Sequence, residues 1–339
     1  MMTLSEYMLH RLPVIEETLQ YALAHMIPEG NHELEEMLAY HMGWVGEGAG
    51  PKASGKRLRP LLVLMSNEAC GGEWKRAIPA ASSLSFLHNF SLIHDDIEDN
   101  SDTRRGRPTV WKKWNMPQAL NSGDLMFSFS YACMMRLADV GHAPETILRA
   151  LTRLQNTISQ LVHGQHLDMS FETRQDVTLK EYWQMINGKT AALISCACEI
   201  GALLAGAADT QQQYLAQFGR ALGLAFQVQD DWLGIWGDPS VTGKSASMDL
   251  VTRKKTIPIL YGLEQEKSFW HRWQMGFGPE DVESLAELLK DEGAQAYTEA
   301  EAQRLTGEAL AALEKAFPVQ NEHAENLREL AEKLTQRSS

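Results

Sequence analysis

The chain has 339 residues, 44% of them hydrophobic and 22% charged, proportions that build an ordinary globular core and exclude collagen-like repeats, extended disorder and a membrane-embedded protein. With 44 acidic against 31 basic residues the formal charge is −13, which excludes a protein that coats nucleic acid by neutralising phosphates, so any anionic ligand must be met by local cations. The cysteines Cys70, Cys133, Cys196 and Cys198 form no C-x-x-C pair and are too sparse for a disulfide scaffold, so a reducing, cytoplasmic setting is expected.

The first residues, MMTLSEYMLHRLPVIEE, carry Glu6, Glu16 and Glu17 and lack the basic, apolar, small-residue order of a secretory or transit peptide. From there apolar residues recur three and four apart over long windows with almost no sustained alternation, which predicts an all-α protein. Helices are expected over 4–27, 32–46, 58–70, 75–100, 117–140, 143–170, 178–207, 210–235, 256–276, 279–291, 294–316 and 319–336. The most apolar stretch, Ala191 to Ala208, is interrupted by Glu199 and is richer in alanine and glycine than in leucine and phenylalanine. It reads as a closely packed buried helix and not as a transmembrane span. Two longer connections, Gly46 to Gly55 and Gly234 to Lys255, combine glycine, serine or proline with lysine, a composition found in ligand loops. No stretch resembles a linker, and residues 1–339 are expected to form a single all-helical domain.

The chemistry-bearing residues begin with LIHDDIEDN, where Asp95, Asp96 and Asp99 fall within an arc of about 100° on one helix face. Three like charges there repel, and divalent cations held between hard oxygen donors would offset that cost. A solvated acidic helix end is the bland alternative, but the preceding IPAASSLSFLHNFSL is small or apolar at most positions, so these acids end a buried helix. Next, SDTRRGRPTVWKK crowds Arg104, Arg105, Arg107, Lys112 and Lys113 into one loop. Carboxylates facing arginine forks are the layout of a metal-diphosphate site, against the alternative of a charge-balanced surface loop. A second pair, Asp230 and Asp231, ends another helix with Gln227 one turn earlier, while Gly234 stands where a further acid would complete the set. That half therefore supplies fewer carboxylates, and restoring an acid at 234 is expected to lower the magnesium requirement. Lys189, Lys244 and Lys254 could converge on a leaving diphosphate. GPKASGKR and GDPSVTGKS approach the phosphate-loop pattern but have the wrong ending or spacing and follow no strand. His163 and His166 in HGQH, near Asp168, lack further ligands for zinc and read better as polar groups lining a cavity.

GKRLRP (Gly55 to Pro60), HNFSLIHDDIED (His88 to Asp99), RRGRPT (Arg104 to Thr109), NGKTAAL (Asn187 to Leu193), FQVQDD (Phe226 to Asp231), GDPSVTGK (Gly237 to Lys244) and RKKTIPIL (Arg253 to Leu260) together resemble the trans-isoprenyl diphosphate synthases, the polyprenyl synthetase family. The resemblance spans about residues 50 to 262 motif by motif. It implies an isoprenoid synthase fold of antiparallel helices around a deep central cavity, usually as a homodimer, and a magnesium-dependent prenyltransferase using two or three ions per active site. By position it makes Asp95, Asp96, Asp99, Asp230 and Asp231 metal ligands. Arg104, Lys189, Thr190, Gln227, Lys244 and Lys254 become contacts of an allylic diphosphate, and Lys56, Arg59, His88 and Arg105 the site for isopentenyl diphosphate. Asp95, Asp96, Lys189 and Asp230 would carry the chemistry. Gly234 departs from the pattern, where most members have aspartate, and Asp238 or water could compensate.

The implied substrates are isopentenyl diphosphate and an allylic diphosphate, with no nucleic-acid partner. A terpene cyclase would have no use for Lys56, Arg59 and His88 together, and a non-catalytic partner subunit would have lost acids of the first motif. Phe90 and Ser91, five and four residues before Asp95, lie about 7.5 and 6 Å below it along the helix. The resemblance gives short products to chains with an aromatic residue at that place. Small Ser91 leaves a lane open, which favours geranylgeranyl diphosphate over farnesyl diphosphate or longer polyprenyl products.

Overall fold

Thr3 starts the first helix, because its hydroxyl accepts from the Glu6 amide at 3.3 Å while the Glu6 carboxylate accepts from the Thr3 amide at 2.8 Å. Thr178 and Glu181 repeat this reciprocal cap farther along, at 3.3 and 3.1 Å. A computed structural model describes residues 2–237 and 247–335. Its longer helices are α1 (Leu4–Met26), α2 (His32–His41), α3 (Leu58–Ala69), α4 (Trp74–Glu98), α5 (Met116–Met135), α6 (Pro144–Thr173), α7 (Leu179–Ile186), α8 (Ala192–Leu204), α9 (Asp209–Trp236), α10 (Ile257–Glu264), α11 (Ser268–Met275), α12 (Val282–Asp291), α13 (Ala294–Ala316) and α14 (Glu322–Thr335). Among the described residues the only strands are β1 (Thr103–Arg104) and β2 (Arg107–Pro108), a hairpin pairing Thr103 with Pro108 and Arg104 with Arg107. Its turn residues Arg105 and Gly106 have φ of 53° and 75°, the left-handed pair that matches strand twist in a tight hairpin. The all-α expectation holds.

Three expected helices are shorter or broken for local reasons. The one predicted over 32–46 stops at His41, because Gly43 turns with φ 84° and its Cα approaches the chain at Ala53 and Ser54 so closely that an added Cβ would sit 2.5 Å from backbone. The one predicted over 178–207 contains a π-turn at Asn187–Ala191, and the one over 256–276 divides at Glu266, where φ is 52°.

Residue contacts group the chain into two compact units. In the first, comprising 1–155, 196–215 and 319–327, α3 lies in the core with Leu61, Leu62, Val63, Leu64 and Met65 buried. Its Glu68 is buried as well and is satisfied by the Tyr7 hydroxyl and by Arg11 at 2.8 Å. The glycine in the Ala-rich stretch has a definite use: a Cβ on Gly201 would run into the Val63 carbonyl and come within 2.8 Å of Ser66 Cβ, so α8 lies against α3 with no side chain between. Asn67 seals the contact by donating to Gly201 O at 3.2 Å. Glu199, the charge that interrupts this stretch, is met by Arg153 at 2.6 Å.

The second unit comprises 156–195, 216–318 and 328–339. One of its apolar clusters gathers Phe171, Tyr182, Ile186, Val228, Leu260 and Leu305, and another Ile235, Leu250, Ile259, Phe269, Trp273 and Leu289. There α6 meets the π-turn through paired glycines, since a Cβ on Gly164 would lie 2.7 Å from Gly188 C. No described helix is long and apolar enough to cross a membrane.

Gly201→Ala is expected to lower unfolding free energy by about 1–3 kcal/mol, the usual cost of overpacking a tight contact, with its urea midpoint shifted down. A midpoint equal to wild type would show that α3 and α8 separate freely.

Candidate active site

In the first unit α4 delivers Asp95 and Asp96 in its last turn, and Asp99 is the C-cap residue just beyond it. Asp96 is buried at 2% exposure, Asp95 is partly covered and Asp99 is exposed. Arg104, on the hairpin, spans the pair: its Nε donates to Asp96 Oδ1 at 2.7 Å and a terminal nitrogen to Asp95 Oδ2 at 3.1 Å. Asp96 Oδ2 is buried with no hydrogen-bond partner. Burial, helped by its acidic neighbours Asp95 and Asp99 and opposed by Arg104, pushes the Asp96 carboxyl up to about 6. A carboxylate oxygen without a donor beside two further acids is chemically suited to a hard divalent cation such as magnesium. Among the described residues no three acid, imidazole or thiol groups close into a ready-made cage.

Arg59, His88 and Arg105 come together beside these acids. Burial first, then the charge of Arg105 on Arg59 and those of Arg57 and Arg104 on Arg105, pushes both guanidinium groups down to about 10, and burial next to Arg59 holds the His88 imidazole well below its usual range. Arg59 Nε is buried without a partner. Arg105 donates to Ala53 O at 2.7 Å and lies across Gly55, where a Cβ would meet its guanidinium carbon at 2.7 Å with φ at 75°. Lys56 is exposed on the same loop. Arg107 is spent on architecture: it donates to the carbonyls of Tyr40, Val45 and Glu47 at 2.8, 2.6 and 2.9 Å and stacks 3.9 Å from the Tyr40 ring centroid. His41, which the sequence reading did not single out, joins the cluster from α2. Its Nε2 is buried without a partner, and burial beside Arg104, Arg105 and Arg57 depresses its basicity. No motif flags His41, because only the turn of α2 back over the hairpin brings it there.

Phe90 packs its ring 5.0 Å from Phe127 and 4.8 Å from His94, and Phe127 continues to Tyr131 at 5.5 Å. Ser91 donates to His88 O at 2.8 Å. Met126, next to Phe127 in sequence, is fully buried in the core.

In the second unit the π-turn carries Lys189 and Thr190. Lys189 pairs with Asp168 at 2.5 Å, and Thr190 donates to Gln227 Oε1 at 2.7 Å. Gln227 donates in turn to Asp231 Oδ1 at 2.9 Å, while Asp231 Oδ2 accepts from the Tyr182 hydroxyl at 2.6 Å and the Ile257 amide at 3.2 Å. Burial, then the charge of Asp249, pushes Asp231 up to about 7 against those hydrogen bonds and Lys254. Asp231 is thus turned inward and Asp230 is the exposed member of the pair. The sequence reading missed Tyr182, and weighed Asp168 only as a neighbour of the exposed His163 and His166. Lys244 and Asp238 lie outside the described residues. A Cβ on Gly234 would lie 2.7 Å from Asp249 Cγ, so an acid restored there would have to displace the Asp249 carboxylate.

Carboxylate pairs at helix ends, set among arginine and lysine on an all-helical frame, define an isoprenoid synthase fold. The polyprenyl synthetase family model matches residues 49–291, and the chain belongs to that family. It is 38% identical over 307 residues to a (2E,6E)-farnesyl diphosphate synthase of Mycobacterium tuberculosis, covering 86% of this chain and 84% of that protein. It is 39% identical over 268 residues to a geranylgeranyl diphosphate synthase of the same organism, covering 77% and 75%. The structure of a polyprenyl synthetase from Streptomyces coelicolor matches with a TM-score of 0.84 at 32% identity, over 95% of this chain and 96% of that one.

Because burial raises the folded-state pKa of Asp96 from the ordinary 3.8 to about 6, its contribution is neutral below about pH 4, turns destabilising as pH rises from there, and is fully destabilising above about 6. Asp96→Asn keeps an oxygen for Arg104 and removes that charge. Without divalent cations, its melting temperature relative to wild type should therefore rise between about pH 4 and 6 and level off above that. A difference that is constant or falls with pH would refute this assignment.

Proposed function

We propose that this polyprenyl synthetase condenses isopentenyl diphosphate with an allylic diphosphate and releases geranylgeranyl diphosphate, in preference to farnesyl diphosphate. The observation that carries the two-substrate reading is the gathering of Arg59, His88 and Arg105, with Arg59 Nε buried and partnerless, beside an acid pair already bridged by Arg104. A terpene cyclase ionises one diphosphate and needs no second anion site.

Asp95, Asp96, Asp99, Asp230 and Asp231 are the residues that would hold magnesium. Magnesium, when bound, would neutralise the diphosphate and favour its departure. Arg104, Lys189, Thr190, Gln227, Lys244 and Lys254 would orient the allylic diphosphate, and Lys56, Arg59, His88 and Arg105 would hold isopentenyl diphosphate. The depressed basicity of His88 favours a neutral imidazole that donates one N–H to phosphate without adding to the repulsion between the arginines. Arg104 and Lys189 are held in place by acids, so their charges are preorganised before the transition state develops. The double bond of isopentenyl diphosphate attacks the allylic carbon as the carbon–oxygen bond to diphosphate breaks, and the released diphosphate accepts the proton lost by the product. In this reading the whole chain acts as one catalytic domain, as a homodimer in the cytoplasm.

Product length follows from the aromatic run Phe90, Phe127 and Tyr131, with Phe90 as the floor for the growing chain. The named relatives bracket this choice, one a farnesyl and the other a geranylgeranyl diphosphate synthase.

Asp95→Ala and Asp96→Ala should each reduce turnover at saturating substrate by on the order of 10²–10³, the typical cost of one preorganised electrostatic element. Either variant retaining more than about a tenth of wild-type turnover at saturating magnesium would remove the first acid set from the mechanism. Phe90→Ala should lengthen products by at least one isoprene unit with little change in the first condensation rate. Chromatography of dephosphorylated products reads this directly, and an unchanged distribution places the floor elsewhere.

A further inference from the structure

Leu305, Glu308, Ala312 and Lys315 recur three and four apart along α13, and Gln217, Ala221 and Leu224 do the same along α9, so each set shares one helix face. The two faces do not close on each other. With Trp183 of α7 they enclose a cavity of about 600 Å³ within the second unit, a volume in the range of small-ligand sites. Alanine at 221, 311 and 312 leaves space that larger side chains would fill. The floor is apolar: Leu305 and Ala312 are buried, while Trp183 and Leu224, which pack against the cluster around Tyr182, stay half-buried. Charge at the mouth does not balance. Arg304 is answered by Glu301 at 2.8 Å and by Glu308 at 2.5 Å. Arg220 donates its Nε to the neutral Asn187 Oδ1 at 2.7 Å, and neither Arg220 nor Lys315 meets an acid in an ion pair among the described residues. A chain with a formal charge of −13 thus holds two unanswered cations over an apolar floor. No lining residue is among those assigned to either diphosphate.

We propose that this cavity is a second binding site, which takes an apolar chain with a phosphate head. The head is met by the guanidinium of Arg220 and the ammonium of Lys315, whose two charges match a phosphate monoester dianion. The chain lies on Trp183, Leu224 and Leu305. Arg304, neutralised by its own acids, shapes the mouth without adding net charge. Asn187, the partner of Arg220, is the first residue of the π-turn that carries Lys189 and Thr190, so a bound head stands beside the start of that turn. The site follows from the cavity and its charges and does not depend on the prenyl-transfer reading.

The test is calorimetric titration of the full-length protein with decyl phosphate, with magnesium and inorganic diphosphate present to occupy the acid-lined site. Wild type should show saturable binding at one site. Arg220→Gln and Lys315→Gln should each weaken it about tenfold, the usual effect of losing one charge-assisted hydrogen bond, and Ala312→Trp, whose indole fills the cavity, should abolish it. Arg220 and Lys315 are exposed, so their variants carry the test should Ala312→Trp fail to fold. Decanoate, with a single charge, should bind about tenfold more weakly than decyl phosphate. Geranyl phosphate has the same head and carbon count: tighter binding than decyl phosphate identifies a prenyl chain as the occupant, and equal binding a straight-chain lipid phosphate. Absence of saturable binding, or wild-type affinity in any folded variant of the three, overturns the site, and decanoate binding as tightly as decyl phosphate overturns the dianionic head. Condensation by Lys315→Gln without decyl phosphate should equal wild type, so failure of the site leaves the prenyl-transfer reading standing.

Discussion

Carboxylates buried at the ends of apolar helices are the constraint around which the rest of this structure is arranged. A charge taken out of water costs several kcal/mol unless other groups answer it. In each unit the second acid of a pair is the buried one, Asp96 at 2% and Asp231 at 4% exposure. Asp96 is answered by Arg104, and Asp231 by Tyr182, Gln227 and the Ile257 amide. The first acid of each pair, Asp95 or Asp230, stays more open. Each pair thus has an inner carboxylate hydrogen-bonded into the protein and an outer one more open to solvent. Both inner acids titrate upward because burial outweighs their partners, a cost that a bound cation would reverse.

Backbone irregularities gather around the same groups. Arg57, Arg105 and Ser247 have left-handed φ of 46°, 53° and 55°, and Lys189 and Thr190 sit in the π-turn. Non-glycine residues in that region cost on the order of 1 kcal/mol or more and persist where surrounding contacts fix them. Those contacts are present: Arg57 is buried on Glu16 at 2.6 Å, Arg105 lies on Ala53 and Gly55, and Ser247 is tied to Ile235. The π-turn widens one helical turn, carries Lys189 and Thr190 in adjacent positions, and lets each meet a different partner, Asp168 and Gln227.

Neutral histidines contribute a further economy of charge. His41 and His88 are partly covered and lie near arginines, and burial of their rings holds both well below the usual imidazole range. Burial first, and then the charges of neighbouring arginines, lower Arg59 and Arg105, so a cluster of guanidinium groups alone carries a cost. Imidazole donors extend the hydrogen-bonding capacity of the cluster without deepening that repulsion.

Helical periodicity, the acids ending apolar runs and the order of the basic motifs are local or short-range properties, so the sequence by itself determined the all-α class, the family and the groups that assemble around Asp95 and Asp96. It also located the Ala- and Gly-rich segment that packs closely on α3, because small residues in an apolar run have few other uses. Tertiary structure alone decided which member of each acid pair is engaged inside the protein, that Arg107 holds the loop at Tyr40, Val45 and Glu47, and that His41 belongs with the arginines. It also decided what surrounds Gly234. A missing side chain in sequence looks like a lost ligand, whereas in space the Asp249 carboxylate, from fifteen positions later, lies beside it. Residue order records what each position carries, but which atoms come to lie side by side is settled only when distant segments pack together.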